Sequence, residues 1–294
     1  MPNEEQRFLV RFWGVRGSIP TPGPETVRYG GNTSCIEVRC DDVVLMIDAG
    51  TGARRFGRRL LKEQPEGTLD IALMLSHLHL DHVQGFPFFS PIYEARTRLD
   101  IYSAAPPESS TQAALESQMS YPSFPVGLAN VSAKVEFKTV ERSGCFEVGG
   151  VRISTCPLDH PGGSMAIRID HAGKSYVHAS DFEHSETPPH DLIALAAGAD
   201  FMGYDAAYVD GEEYERHRGW GHSTWREGLA IAKRAGVGRF IAFHHEPSHD
   251  DEFMDRVARD MNAVQPGSLV AAEGMTIDML TGAVTYEARD SDCG

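Results

Sequence analysis

The stretch IALMLSHLHLDH, residues 71–82, decides the fold that the chain is expected to adopt. Its five apolar residues predict a buried strand, and His77, His79, Asp81 and His82 follow that strand directly. Imidazole nitrogens and carboxylate oxygens suit a borderline divalent cation. A turn from strand to helix can direct His77 and His79 to one site, and Asp81 and His82 to a second one. The stretch therefore predicts a metal site at the end of a strand.

Further residues of ligand type follow other predicted strands of the chain. They are His160 after VRISTCPL, Asp181 after the strand that contains SYV, and the pair His244 and His245 after FIAF. A carboxylate at position 181 could bridge two ions. One site would then consist of three histidines and the bridge, and the other of Asp81, His82, a histidine of the 244–245 pair and the bridge.

The pattern of strands and helices predicts an α/β fold with two sheets. Each half of the chain contains several short β-branched runs and glycine-rich turns, together with helical patterns such as 190–199 and 223–236. Two such halves favour two sheets packed face to face with helices outside, an αββα sandwich. No linker or repeat interrupts residues 1–294, so we expect a single domain. Segment 105–130 fits either a surface excursion with one short helix or a lid or dimer contact.

Composition limits the kinds of partner. The chain has 294 residues, with 27 Lys and Arg against 42 Asp and Glu, a formal net charge of −15. Such a charge disfavours large nucleic acids and anionic membranes as partners. Its five cysteines include no CxxC pair, so no cysteine zinc site is predicted. We see neither a secretory signal nor an apolar run of about 20 residues, and we expect a cytoplasmic protein.

The HxHxDH pattern at positions 77–82 resembles the signature of the metallo-β-lactamase fold superfamily. The resemblance extends over about residues 8–250 and includes FWGVRGSIPTPG, GGNTSC and the turn IDAGTG with Asp48. It implies that His160 is the third histidine ligand and Asp181 the bridging one. Aligning RFIAFHHEP with the strand-then-His-x-x-Pro end of the family selects His244 as the last ligand, with His245 as the alternative. Asp48 is a candidate for fixing the tautomer of a ligand.

A second motif, GWGHST at 219–224, resembles the histidine motif of ribonuclease Z-type phosphodiesterases. In that branch, a histidine outside the metal ligands contacts the phosphate and helps to protonate the leaving oxygen. His222 matches this histidine. Asp205 in GYDAAY matches its acidic partner, which is usually glutamate in ribonuclease Z. The resemblance thus implies catalytic roles for His222 and Asp205, and Asp81 is expected to tune the proton of the attacking hydroxide.

These resemblances imply a phosphodiesterase with two divalent ions, with zinc expected and manganese or iron also suitable. A hydroxide shared by the ions would attack phosphorus, and His222 would act as the general acid. Arg16 and Asn32 are expected to bind the substrate phosphate. The family often dimerises, so a homodimer is also possible.

The expected substrate is a small phosphodiester, most simply a 3′,5′-cyclic nucleotide. The chain lacks the long basic arm with which ribonuclease Z binds tRNA. Segment 84–130 is instead rich in aromatic residues that could form the wall of a pocket, namely Phe86, Phe88, Phe89, Tyr93, Tyr121 and Phe124. The alternatives are a tRNA 3′-processing endonuclease, a hydrolase of esters or lactones, and a metal-binding sensor without catalysis.

Overall fold

The computed structural model describes residues 6–104 and 110–287, which form two mixed β-sheets with helices on their outer faces. The αββα prediction is therefore confirmed. The strands are β1 Phe8–Gly14, β2 Cys35–Cys40, β3 Val43–Ile47, β4 Leu69–Leu75, β5 Thr97–Ser103, β6 Lys134–Thr139, β7 Gly144–Val148, β8 Val151–Leu158, β9 Ser164–His171, β10 Lys174–Ala179, β11 Phe201–Asp205, β12 Arg239–Phe243, β13 Leu269–Val270, β14 Met275–Asp278 and β15 Val284–Tyr286. The α-helices are α1 Ala53–Glu63, α2 Leu80–Val83, α3 Thr111–Gln118, α4 His190–Leu195, α5 Glu212–His217, α6 Trp225–Ala235 and α7 Asp251–Val264.

Parallel strands in both sheets place several loops at one edge of the sandwich. Within the described residues, the first sheet has the order β15-β14-β1-β2-β3-β4-β5-β6 and the second the order β13-β12-β11-β10-β9-β8-β7. Strands β3 to β6 run parallel to one another, as do β10 to β13. Ligands in α/β proteins bind outside the carboxyl ends of such strands. The ligand-type residues at the ends of β4, β10 and β12 lie at these positions.

An apolar core fills the space between the two sheets. Phe12 and Ile36 contribute to it from the first sheet, and Ile167 and Phe243 from the second, all without solvent exposure. The rings of Phe12 and Phe243 lie 6.0 Å apart across the interface. Burying one such side chain contributes about 1.5–3 kcal/mol. The shared core therefore holds the loops of the two sheets in a fixed relative position.

Helix α6 begins and ends as its sequence predicts. The Thr224 hydroxyl accepts a hydrogen bond from the Glu227 backbone N–H at 3.4 Å, and Gly236 ends the helix in the left-handed region with φ 70°. Trp225 and Leu229 pack the helix against the second sheet. The start of α6 thereby anchors the loop that carries His222.

The described part of segment 105–130 contains one short α-helix, α3, and a 3-10 helix at Leu128–Asn130, while residues 105–109 lie outside the described part of the chain. After α3, Met119 is buried, Tyr121 is 92% exposed, and the ring of Phe124 lies 5.6 Å from that of Phe88. Residues 1–5 and 288–294, including Cys293, also lie outside the described residues. Among the described helices, none combines the length and apolar character needed to cross a bilayer.

Candidate metal centre

Loops from both sheets bring seven histidine and aspartate residues together at one edge of the sandwich. They follow β4, β8, β10 and β12 and are His77, His79, Asp81, His82, His160, Asp181 and His244. These are the residues that the sequence analysis selected as ligands. Their ligand atoms form two groups, each with all atoms within 4.8 Å of one another, and Asp181 belongs to both groups.

The first group consists of three imidazoles and one oxygen of Asp181. His160 Nε2 lies 2.9 Å from His79 Nδ1 and 3.6 Å from Asp181 Oδ2. His77 Nε2 lies 3.4 Å from the same carboxylate oxygen. This group could hold one cation with nitrogen and oxygen donors.

The second group contains the other oxygen of Asp181. Asp181 Oδ1 lies 3.1 Å from His82 Nε2 and 3.2 Å from His244 Nε2. Asp81 Oδ2 lies 3.3 Å from His82 Nε2 and 3.2 Å from His244 Nε2. Because Asp181 presents one oxygen to each group, its carboxylate is placed to bridge two cations.

The spacing of these atoms fits a divalent cation. Ligand atoms about 2.0–2.1 Å from a tetrahedral zinc ion lie about 3.3–3.4 Å from one another. The distances of the second group, 3.1–3.4 Å, agree with this spacing. In the first group, the buried His77 Nε2 makes no hydrogen bond with the described residues. A buried nitrogen without a partner is costly, and a cation would supply one. The donor set suits zinc, manganese or iron.

Burial and mutual proximity favour the neutral, metal-binding form of the first-group imidazoles. Burial lowers the pKa of His77 well below its usual value, and the charges of His82, His160 and His79 lower it further. The pKa values of His79 and His160 are also lowered, mainly by burial. Burial opposes ionisation of Asp181, but the imidazoles around it hold the pKa of its carboxyl well below the ordinary range. The ionised form of the Asp181 carboxylate is therefore favoured.

Hydrogen bonds from neighbouring groups orient the ligands. His82 Nδ1 lies 2.7 Å from Asp48 Oδ2, which directs His82 Nε2 toward the second group. The Ser76 backbone N–H donates to Asp48 Oδ1 at 2.8 Å, and the Ser34 hydroxyl donates to Oδ2 at 3.0 Å. Asp48 thus occupies the supporting position that the sequence analysis gave it.

The loop after β1 also supports the second group. The backbone N–H of Ser18 donates to Asp81 Oδ2 at 2.7 Å. A Cβ added at Gly17 would lie 2.4 Å from Nδ1 of His244, well inside van der Waals contact. Position 17 therefore has no room for a side chain beside this ligand. The sequence did not predict this role of Gly17.

We expect Gly17→Ala to weaken metal binding by roughly 10–100-fold, because the methyl group would displace the His244 ring. Chelator competition with the purified protein measures the affinity. Gly127→Ala is the matched control, because a Cβ at position 127 has its nearest neighbour at 3.4 Å and the φ there is −70°. Wild-type affinity in Gly17→Ala would contradict the packing argument.

The partly exposed His222 pairs with the buried Asp205 beside both groups. His222 Nδ1 lies 2.8 Å from Asp205 Oδ2, and Asp205 is fully buried. The His222 ring stacks on that of His244 at 4.8 Å and lies 5.3 Å from that of His160. Burial opposes protonation, but Asp205 and the more distant carboxylates raise the pKa of His222 to about 9. The carboxylates around His222 therefore favour its protonated form.

The structure places Arg16, which is predicted to bind a substrate phosphate, inside the protein, where it binds main-chain carbonyls. Arg16 is fully buried, its Nε donates to the Gly30 carbonyl at 2.7 Å, and its Nη1 donates to the His249 carbonyl at 2.6 Å. Its guanidinium holds the main chain together because it satisfies buried carbonyl groups. Asn32, which is also predicted to bind the phosphate, binds Glu273 instead: its backbone and side-chain nitrogens both donate to Glu273 Oε1, at 2.7 and 3.1 Å.

The alternative ligand His245 has a structural role. Its Nε2 donates to the Ala271 carbonyl at 2.7 Å, and its backbone N–H donates to the Val15 carbonyl at 2.9 Å. Burial and the Arg16 cation lower the pKa of His245 to about 3. His244 is therefore the member of the pair that joins the metal ligands.

Most of the aromatic residues of segment 84–130, which were expected to form the wall of a substrate pocket, lie in the core or on the surface. Phe86 and Phe89 are fully buried, and Phe89 stacks on Phe56 of α1 at 5.8 Å.

A feature that the sequence analysis missed is a cavity of about 170 Å³ beside the first group, lined by Ser76, His77, Leu78, His79, Ala104, Arg142, Pro161, Gly162 and Gly163. Arg142 comes from the loop between β6 and β7, and no sequence pattern links it to position 77.

Comparison with known proteins agrees with this site. The model of the family described as "Beta-lactamase superfamily domain" matches residues 44–245. The chain is 25% identical to a ribonuclease Z of Haloarcula marismortui, over 90% of this chain and 95% of that protein. The metallo-β-lactamase fold protein YhfI of Bacillus subtilis has a similar structure, with a TM-score of 0.69 and 19% identity over 92% of this chain and 99% of that one. A diphosphatase from the PhnP family has a TM-score of 0.65 and 17% identity over 96% and 100% of the respective chains. The chain therefore belongs to the beta-lactamase superfamily, in its ribonuclease Z-like branch, and is a metal-dependent hydrolase.

Proposed function

We propose that this hydrolase is a dinuclear-metal phosphodiesterase for small substrates, with a 3′,5′-cyclic nucleotide as the preferred one. The observation that carries the proposal is the His222–Asp205 pair, in which Asp205 is buried and the partly exposed His222 ring contacts the rings of His244 and His160. Hydrolysis of a phosphodiester releases a poor alkoxide leaving group, which needs a proton. A histidine beside a two-cation site is suited to supply it.

Each residue of the centre has a distinct role in this reaction. The two groups that share Asp181 would hold the ions. When bound, two such ions supply a nucleophile at neutral pH and polarise the phosphoryl oxygen. Asp205 fixes His222 through Nδ1, so Nε2 remains to donate a proton to the leaving oxygen. Asp81, which accepts from the Ser18 backbone N–H, is the carboxylate that we assign to tuning the proton of the nucleophile.

A row of aromatic rings next to His222 supports a nucleotide as substrate. Tyr208 lies 6.1 Å from the His222 ring and stacks on His217 at 4.6 Å. Trp220 meets His217 edge-on at 4.9 Å and is 62% exposed. An exposed indole at the end of this row, two residues before His222 in the chain, offers a stacking surface for a nucleobase. Together with the net charge of −15, this row favours a small nucleotide over a polyanion.

Processing of tRNA 3′ ends is the second candidate, because the similarity to a ribonuclease Z extends over 95% of that protein. The test compares hydrolysis of cAMP, cGMP, a 2′,3′-cyclic nucleotide and precursor tRNA by the protein loaded with zinc or manganese. We expect the 3′,5′-cyclic nucleotides to be cleaved most efficiently. Preferential cleavage of precursor tRNA, with affinity that falls steeply with salt, would establish the alternative. Cleavage of lactones or thioesters alone would overturn both.

Trp220→Ala is expected to raise the KM for the cyclic nucleotide about tenfold with little change in kcat. The reason is that stacking of a base on an aromatic ring contributes about 1–3 kcal/mol to binding. Steady-state kinetics measure the effect. Tyr121→Ala is the control, because Tyr121 is an exposed aromatic residue of segment 84–130. A KM effect at Tyr121 and none at Trp220 would place the base at that segment instead.

A further inference from the structure

The short segment 181–184, which follows β10, contacts both the metal ligands and the general acid. Building on the proposed function, we propose that Glu183 is a positioning residue that sets the orientation of the ligand His160 and of His222 together. Glu183 touches neither ligand group directly. It acts through the loop 219–222, which it holds by two hydrogen bonds.

The Glu183 carboxylate binds this loop at two points. Oε1 accepts a hydrogen bond from the backbone N–H of Gly219 at 2.6 Å, and Oε2 accepts one from that of Gly221 at 2.7 Å. Both glycines have φ 89°, in the left-handed region that other residues adopt only with strain. Because glycine adopts many backbone conformations, the two bonds to one carboxylate select a single conformation of this loop. Hydrogen bonds to a charged acceptor are about twice as strong as neutral ones.

The loop transmits this constraint to His160. The Gly221 carbonyl accepts a hydrogen bond from His160 Nδ1 at 2.7 Å. This bond places the proton on Nδ1 and leaves Nε2 as the metal-binding nitrogen. A Cβ at position 221 would lie 2.3 Å from the same Nδ1, so the glycine backbone packs directly against the ring. A shift of Gly221 therefore moves the ligand.

The same loop carries the general acid. His222 follows Gly221 directly, and its Nδ1 is held by Asp205 Oδ2. The neighbours of Glu183 act on the same elements: the Phe182 backbone N–H donates to Asp205 Oδ2 at 3.2 Å, and His184 Nδ1 lies 2.8 Å from the Ser223 hydroxyl. Since Asp181 is the bridging carboxylate, one continuous segment positions the bridge, the acid and its partner.

The test compares Glu183→Gln and Glu183→Ala with the control Glu186→Gln. Glu186 is an exposed residue of the following loop, and its replacement makes the same charge change. Because glutamine keeps one acceptor oxygen, Glu183→Gln is expected to be milder than Glu183→Ala. Three quantities are measured in each variant: zinc affinity by chelator competition, the ratio of kcat for cAMP to kcat for bis-p-nitrophenyl phosphate, and the thermal unfolding midpoint.

Glu183→Ala should weaken zinc binding at one of the two sites by roughly 10–100-fold, the usual effect of losing a group that orients a ligand. The kcat ratio should also fall, because the alkoxide of cAMP needs a proton from His222 and the nitrophenolate does not. Wild-type zinc affinity in both Glu183 variants would overturn the proposal. An unchanged kcat ratio despite weaker zinc binding would overturn its His222 part. If no phosphodiester is cleaved at all, the proposed function fails, while the zinc affinity still tests the link to His160.

Discussion

Replacing His222 by alanine is expected to lower kcat for a cyclic nucleotide by about 10²–10⁴-fold while both metal ions remain bound. The geometry gives the reason: the His222 ring stacks on a ligand at 4.8 Å, but its own Nδ1 is committed to Asp205 at 2.8 Å. Removing the ring takes away the proton donor and leaves both ligand groups complete. Steady-state kinetics and metal analysis of the purified variant measure the two quantities.

The leaving group provides a sharper test of the role of His222. Bis-p-nitrophenyl phosphate releases an acidic phenol, so its hydrolysis should fall much less than that of cAMP. His190→Ala is the control, because His190 is an exposed histidine at the start of α4. Intact turnover of cAMP in His222→Ala would remove His222 from the mechanism. An equal loss for both substrates would point to a role in binding instead.

Asp181→Asn should abolish most of the activity and the stabilisation that metal provides. Its two carboxylate oxygens face different ligand groups, at 3.1 Å from His82 Nε2 and 3.4 Å from His77 Nε2. An amide offers one oxygen and no negative charge, so the variant should lose at least one ion. Metal contributes several kcal/mol to the transition state, which corresponds to a loss on the order of 10³-fold or more in kcat.

Thermal unfolding with and without zinc checks this prediction independently of activity. An ion that binds only the folded state raises the midpoint, so the wild-type midpoint should rise with zinc concentration. The rise should be much smaller in Asp181→Asn. Asp260→Asn, an exposed position of α7, makes the same chemical change and should respond to zinc like the wild type. An equal response in Asp181→Asn would show that Asp181 does not bind the ions.

The seven metal-ligand candidates could be found from the sequence because each of them follows a strand. A run such as 71–75 is recognisable as a buried strand, and parallel strands place their carboxyl ends at a common edge. Four of the seven candidates lie within residues 77–82, so their short separation along the chain keeps them close together. The pairing of His222 with Asp205 came from the resemblance to a known motif.

The partners of Arg16 could not be found in this way. Its guanidinium binds the carbonyls of Glu246 and His249, which are 230 and 233 residues away in sequence. The sequence places Arg16 in a glycine-containing loop directly after a predicted strand, which does not show which groups its guanidinium contacts. Only the packing of that loop against the residues after β12 shows that the cation is buried and that its Nε and Nη1 bind main-chain carbonyls.

The sequence by itself determined the two-sheet fold, the ligand types and the strand ends that carry them, because periodicity and local spacing act over a few residues. The tertiary structure alone decided which nitrogen of each histidine faces the other candidate ligands, and it placed Arg142, Gly17 and Glu183 beside the centre. Those roles depend on close contacts, of about 3 Å for a hydrogen bond, that the packing of the two sheets creates between residues far apart in sequence. Such contacts produce no periodic pattern of residues from which they could be predicted.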